Sequence, residues 1–316
     1  LRVRPPIHHH RLSIKMFHLV HHPDYAVAAP PGSPYPFGKH GMVMLALRES
    51  GADFVEHVPD SMPRPWLEAV HDPAYVAEVL SLAVPREKER RIGFPVTDVV
   101  ARRSQLAPGG TWLAARLALT HGFAANTAGG SHHALADSGA GYCVFNDLAI
   151  AAHRLLAEGD VRRLLIVDLD VHQGDGTAML LAGREEAFTF SIHGEKNFPA
   201  RKASSDLDVA LPDRTDDAAY LDTLAAHLPL AIDRSHPDII LYQAGVDSHA
   251  EDRLGRLALS DAGLEARDRL VMAAAQTAGI PLASVLGGGY GRDVMAVTHR
   301  HVRSILTLAD ASGARP

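Results

Sequence analysis

Short apolar runs alternate along the chain with longer segments whose apolar residues recur at helical spacing. Arg163 to Asp168, Ala187 to Ile192, Asp238 to Gln243 and Ile280 to Leu286 read as buried strands, and Ala124 to Asn126 as a weaker one. Between them the pattern predicts helices near Gly110–His121, Asp147–Ala157, Asp217–Asp233 and Ser260–Ala278, with a last helix after Arg292. Near-continuous apolar runs, spaced by helices, suit a parallel sheet covered on both faces. The expected fold is a single α/β domain with a mostly parallel multi-stranded sheet flanked by helices. The charged stretch Arg86 to Arg91 reads as a solvated loop.

Polar clusters follow four of these runs: Gly129-Gly130-Ser131-His132-His133, Asp168-Leu169-Asp170-Val171-His172, Gly245-Val246-Asp247 and Gly287-Gly288-Gly289-Tyr290. In parallel sheets functional groups gather at the carboxyl ends of strands, so the four clusters point to one composite site. On extended chain Asp170 and His172 face the same way and can share an ion, with Asp247 as a third ligand. Two carboxylates and an imidazole suit zinc, iron(II) or manganese, with a position left for water. The same residues also read as an ordinary polar strand end.

His132 and His133 could be surface residues or a buried pair. Asp168 and Asp175 are spare carboxylates, and each could hold the remote nitrogen of one imidazole. Such pairs beside a metal form a proton-transfer apparatus. Tyr290, after its glycines, either packs under a turn or donates its hydroxyl to a developing oxyanion.

Composition narrows the partners. With 316 residues, 47% of them hydrophobic, the chain can bury a substantial core. A net charge of -6 leaves no electrostatic footprint for nucleic acid. The one cysteine, Cys143, excludes an intramolecular disulfide and fits a reducing, cytoplasmic setting. Val271 to Gly289 is the most apolar long stretch, but Gln276, Gly279 and Pro281 make it a helix end, a turn and a strand rather than a membrane span. Residues 1–15, with His8, His9 and His10, read as a disordered extension ahead of a domain over residues 16–316.

Taken together, the clusters resemble the histone deacetylase and acetylpolyamine amidohydrolase family. The resemblance adds Gly141-Tyr142-Cys143-Val144-Phe145-Asn146-Asp147 and the continuation Gln173-Gly174-Asp175-Gly176-Thr177, and it runs from about His18 to His301. Pro34-Tyr35-Pro36-Phe37-Gly38-Lys39 and Asp252-Arg253-Leu254-Gly255-Arg256-Leu257 look closest to the class IV branch and its bacterial relatives. The resemblance implies that Asp170, His172 and Asp247 hold zinc, or iron(II). It implies that His133, oriented by Asp175, is the general base and then the acid. His132, oriented by Asp168, would give electrostatic support, and Tyr290 would polarise the acyl carbonyl. A structural potassium ion near Asp168 and Ser191 is implied as well.

Gly141 and Tyr142 match positions lining the family's acyl-lysine channel, although phenylalanine is commoner where Tyr142 stands. His193 is expected as a channel neighbour. Leu254 stands where polyamine-selective members carry a glutamate, which argues against that form of selectivity. The implied reaction is removal of an acyl group, acetyl first, from a lysine side chain in a protein or peptide. Rival readings are a deacetylase of polyamines or other small acylated amines, a two-metal ureohydrolase, and a protein that binds acyl-lysine without turnover. Cys143 reads as packed near the site rather than as a nucleophile.

Overall fold

The computed structural model describes residues 16–29 and 35–313; the expected extension over residues 1–15, with its three histidines, lies outside them. In chain order the first elements are β1 (Phe17–Val20), α1 (Lys39–Glu49), β2 (Phe54–His57), α2 (Arg64–Glu68), α3 (Pro73–Leu80), α4 (Arg86–Ile92) and α5 (Asp98–His121). They are followed by β3 (Phe123–Asn126), α6 (Asp147–Ala157), β4 (Leu164–Asp168), α7 (Asp175–Leu181), β5 (Ala187–Gly194) and β6 (Leu207–Leu211). The last are α8 (Asp217–Ser235), β7 (Ile239–Gln243), α9 (Asp261–Ala278), β8 (Leu282–Val285) and α10 (Val294–Ala311).

The eight strands among the described residues form one parallel sheet in the order β2-β1-β3-β8-β7-β4-β5-β6. The expected parallel α/β domain is therefore present. The four strands whose ends carry the polar clusters, β3, β8, β7 and β4, are consecutive in that order. Their loops emerge side by side from one sheet edge, which is how residues more than a hundred positions apart meet.

The central strands are largely apolar because both faces of the sheet are covered there. Leu19, Leu165, Val167, Ile240 and Tyr242 face one layer, where they meet Val43 of α1, Leu224 of α8, Val271 of α9 and Ile305 of α10. Their neighbours Val20, Leu164, Ile166 and Leu241 face the other, against Ala114 of α5, Leu148 of α6 and Leu181 of α7. Full burial of each such aliphatic side chain stabilises the fold by about 1.5–3 kcal/mol relative to exposure. A third cluster, including Phe37, Leu67, Tyr75, Ile92, Phe94 and Phe145, packs α2, α3 and α4 beside the site. Among the described residues no helix is long and apolar enough to cross a membrane.

Two segments differ from the sequence pattern. Arg86 to Arg91 is not a loop but most of α4. Glu87 and Glu89 stand in the first turn, Arg90 and Arg91 in the last, and Gly93 ends it in the left-handed conformation at φ 101°. Burial of Ile92 anchors it. Helix α5 begins at Asp98, well before the expected Gly110, and carries Pro108 inside it. Gly109 and Gly110 look like a break but serve close packing: a Cβ on Gly109 would lie 2.0 Å from the Asp60 carbonyl oxygen, and one on Gly110 2.0 Å from the Tyr25 hydroxyl.

Candidate active site

The loop after β3 is held in place before its histidines can act. Gly129 and Gly130 adopt φ of 85° and 82°, which turns the chain back over the sheet edge. The Asp147 carboxylate then accepts from the Gly130 and Ser131 amides at 3.1 and 2.6 Å and from the Thr111 hydroxyl at 2.6 Å. Behind the same loop, His71 Nδ1 donates to the Leu135 carbonyl at 2.8 Å, and its Nε2 accepts the Asn146 amide at 3.0 Å. Asn146 in turn caps α6 by accepting from the Ala149 amide.

This anchor has a pH limit. Burial, only partly offset by the carbonyls of Leu135 and Ala136, lowers the His71 pKa from 6.5 to about 4. Below pH 6.5 the unfolded chain takes up a proton at this position that the folded chain refuses until about pH 4. Stability is thus lost as pH falls through that window, by up to roughly 3 kcal/mol for this one group. Denaturation midpoints measured between pH 7 and pH 4 are expected to fall, and His71→Gln is expected to be weaker at pH 7 but to show a shallower decline. Identical slopes for the two proteins would refute the assignment.

Each histidine of the pair is oriented by its own carboxylate. His132 Nδ1 lies 2.7 Å from Asp168 Oδ2, and His133 Nδ1 lies 2.7 Å from Asp175 Oδ1. Their electrostatics diverge. Burial opposes charge on His132, but Asp168 and Asp170 outweigh it and raise the pKa to about 9. For His133, burial and the neighbouring His132 charge prevail over Asp175 and lower the pKa to about 4. A dication at Asp170 would weaken the pull on His132. His133 is therefore neutral near pH 7, as a proton acceptor must be.

Asp170, His172 and Asp247, all buried, present ligand atoms within 4.8 Å of one another. His172 Nδ1 lies 3.0 Å from Asp170 Oδ1 and 3.2 Å from Asp247 Oδ2. Backbone and amide donors aim the carboxylates. Asp170 Oδ2 accepts from the Gly288 amide at 2.8 Å and Gln243 Nε2 at 3.0 Å, and Asp247 Oδ1 accepts from the Val171 amide at 2.8 Å. Burial and the Asp170 charge push Asp247 up to about 7. Burial disfavours a charged His172, yet Asp170 and Asp247 raise it to about 10. Two carboxylates and an imidazole converging on one buried point form a donor set that fits zinc or iron(II). The glycine stretch must pass closely: a Cβ on Gly288 would lie 1.9 Å from Asp247 Oδ2.

Tyr290 follows that stretch, its amide donating to Asp252 Oδ2 at 2.6 Å. Burial, then Tyr35, Asp170 and Asp247, hold its hydroxyl protonated far above the ordinary tyrosine range. A cavity of about 560 Å³ reaches His172 of the ligand cluster and is walled by His133, Gly141, Tyr142, Phe198 and Tyr290. The Gly141 and Tyr142 amides donate to the Arg91 and Ile92 carbonyls at 3.0 and 2.7 Å, so the end of α4 positions one wall. Leu254 lies at the mouth, 39% exposed. His193 does not line this cavity: it is buried, with Nδ1 2.9 Å from Ser191 Oγ, and Ser191 pairs in register with Asp168. Burial raises the Cys143 thiol pKa strongly, so it is a poor nucleophile.

Three contributors receive no role in the site from the sequence, although Lys39 lies within the family-like segment Pro34 to Lys39. Phe198, edge-on to the His133 ring at 4.8 Å between centroids, lines the cavity together with Tyr142. Gln243 was legible only as a polar residue ending an apolar strand. Lys39, fully buried, donates to the Gly287 carbonyl at 2.9 Å beneath Tyr290.

This constellation can be compared with known proteins. Residues 38–306 match the histone deacetylase domain. The chain belongs to the histone deacetylase family. An uncharacterized protein of Picosynechococcus sp. is 46% identical over 287 residues, 90% of this chain and 96% of that one. A histone deacetylase-like amidohydrolase of Pseudomonas aeruginosa is 30% identical over 171 residues, 50% of this chain and 45% of that protein. Histone deacetylase 2 of Arabidopsis thaliana, 34% identical over 185 residues, is likewise matched over 48% of its length, against 58% of this chain. The chain thus spans about half the length of these named deacetylases. The solved structure of an acetylpolyamine aminohydrolase from Burkholderia pseudomallei shares the fold, with a TM-score of 0.78 at 20% identity over 95% of this chain and 100% of that one. With its buried Asp–His–Asp triad the chain is an amidohydrolase of the deacetylase class.

Proposed function

We propose that the chain removes an acetyl or longer acyl group from lysine side chains in a protein or peptide. The observation that carries this reading is the cavity lined by Tyr142 and Phe198, which reaches His172 of the ligand cluster together with His133 and Tyr290. A walled passage of this kind suits an extended acyl-lysine, with the backbone left outside.

Asp170, His172 and Asp247 would hold a zinc or iron(II) ion. When bound, that ion supplies Lewis acidity, which acidifies a water and polarises the acyl carbonyl. His133 accepts the proton of the attacking water through Nε2, because Asp175 occupies Nδ1. It then returns the proton to the departing amine. His132, held by Asp168 and set beside Asp170, favours the developing anion when protonated. Tyr290 donates its hydroxyl to the carbonyl oxygen as charge builds there. Asp168 and Ser191, adjacent in the sheet, support the reading of a potassium ion behind the site.

Leu254 offers no carboxylate to a polyamine's distal ammonium, which argues against that form of polyamine selectivity. The test is acetate release from acetyl-lysine peptides and from acetylated polyamines by metal-analysed protein. Release from the peptides is expected to stop with chelator and return with zinc or iron(II). Release from polyamines with none from peptides would replace this reading by the polyamine one.

A further inference from the structure

The cavity's outer rim is cationic in a chain whose net charge is -6. Arg91, Lys196, Arg253 and Arg256 line it, and among the described residues no aspartate or glutamate does. They come from separate parts of the chain, the end of α4, the segment after β5 and the segment after β7, and all are exposed. Arg256 is engaged with the Asp213 carboxylate, through Nε at 2.9 Å and Nη2 at 2.5 Å. Arg91, Lys196 and Arg253 have no salt bridge among the described residues.

Acids near the rim are otherwise committed. Asp252 accepts from the amides of Tyr290, Leu254 and Gly255, and Glu251 pairs with Arg300 at 2.6 Å. Glu195 precedes Lys196 but does not line the cavity. Lys196 is left with a share of the Asp213 carboxylate that Arg256 already holds, so positive charge predominates along the lining of this opening and favours an anionic visitor.

We propose that this mouth recognises acidic peptide segments, in which aspartate or glutamate residues flank the acylated lysine. The claim deepens the deacylase reading and rests on it. Carboxylates on either side of the acyl-lysine would meet Arg91 across one wall and Arg253 and Lys196 across the other. Basic flanking residues, and a polyamine's ammonium groups, meet like charge at the same place.

The test uses three acetyl-lysine peptides of one length, with glutamate, glutamine or lysine at the flanking positions. The full chain is expected to prefer the acidic over the basic peptide by about tenfold in kcat/KM, mostly through KM, with the ratio shrinking as salt is raised. In Arg91→Glu/Arg253→Glu the preference is expected to reverse, and Lys196→Glu alone should reduce it. Because these side chains are exposed, circular dichroism should report an unchanged fold. Equal kcat/KM for the three peptides, or a basic preference, overturns the proposal while leaving the deacylase reading intact. The same peptides are titrated for binding by fluorescence anisotropy. Affinity ordered acidic, neutral, basic without any turnover would instead sink the deacylase reading and keep the charge preference of the mouth.

Discussion

Tyr290→Phe is expected to lower kcat by about 10²–10³-fold while leaving KM and bound metal nearly unchanged. The substitution removes one oxygen and little else. The ring's neighbours are Tyr35, Tyr142 and His172, at centroid distances of 6.4, 5.6 and 6.3 Å, and phenylalanine preserves those contacts. The backbone anchor to Asp252 is also kept, since it uses the Tyr290 amide. What is lost is a donor aimed into the cavity, held protonated by burial and by nearby carboxylates. A donor whose partner gains charge during the reaction affects the barrier more than ground-state binding. Steady-state kinetics with metal analysis decides the matter. A variant with wild-type kcat would make Tyr290 a packing residue and return the oxyanion to other groups.

How legible the site was depended on how local its logic is. The β4 ligands could be read because alternation on extended chain places Asp170 and His172 on one side, a relation set within three residues. The carboxylate partners of His132 and His133 were legible as spare acids flanking that segment. The central strands stood out as continuous apolar runs because both faces are buried. The strands at the sheet's margins did not: β2 is only half-buried and includes Glu56 and His57, and β6 alternates between half-buried and exposed. Strand β1 is short and carries His18. Phe198, Gln243 and His71 act through contacts across long sequence separations, and no local spacing encodes them. Arg86 to Arg91 was misread because charge density outweighed the order of the charges, which is that of a helix with favourable ends.

The largest stability effect is expected at a charge pair that no motif announces. Arg267 and Asp268 on α9 are both fully buried, with Arg267 Nε 3.0 Å and Nη2 2.9 Å from Asp268 Oδ1. The Tyr242 hydroxyl donates to the same oxygen at 2.5 Å. Arg267 Nη1 donates to the Gly245 carbonyl at 2.6 Å and reaches the Leu169 carbonyl at 3.4 Å. Gly245 lies two residues before Asp247, and Leu169 adjoins Asp170, so one guanidinium ties together the backbones behind two metal ligands. Asp268→Ala leaves that guanidinium buried without its counterion, and a loss of about 3–5 kcal/mol is expected in chemical denaturation. Arg267→Met/Asp268→Leu removes both charges and is expected to recover much of that loss, since an apolar pair of similar volume can replace a buried ion pair. It also leaves the two carbonyls without their donor. The double variant should therefore be stable yet bind zinc more weakly, measured by competition with a chromogenic chelator. Unchanged zinc affinity in a stable double variant would restrict the pair to the core, and a loss below about 1 kcal/mol in Asp268→Ala would show that the buried guanidinium finds compensation elsewhere.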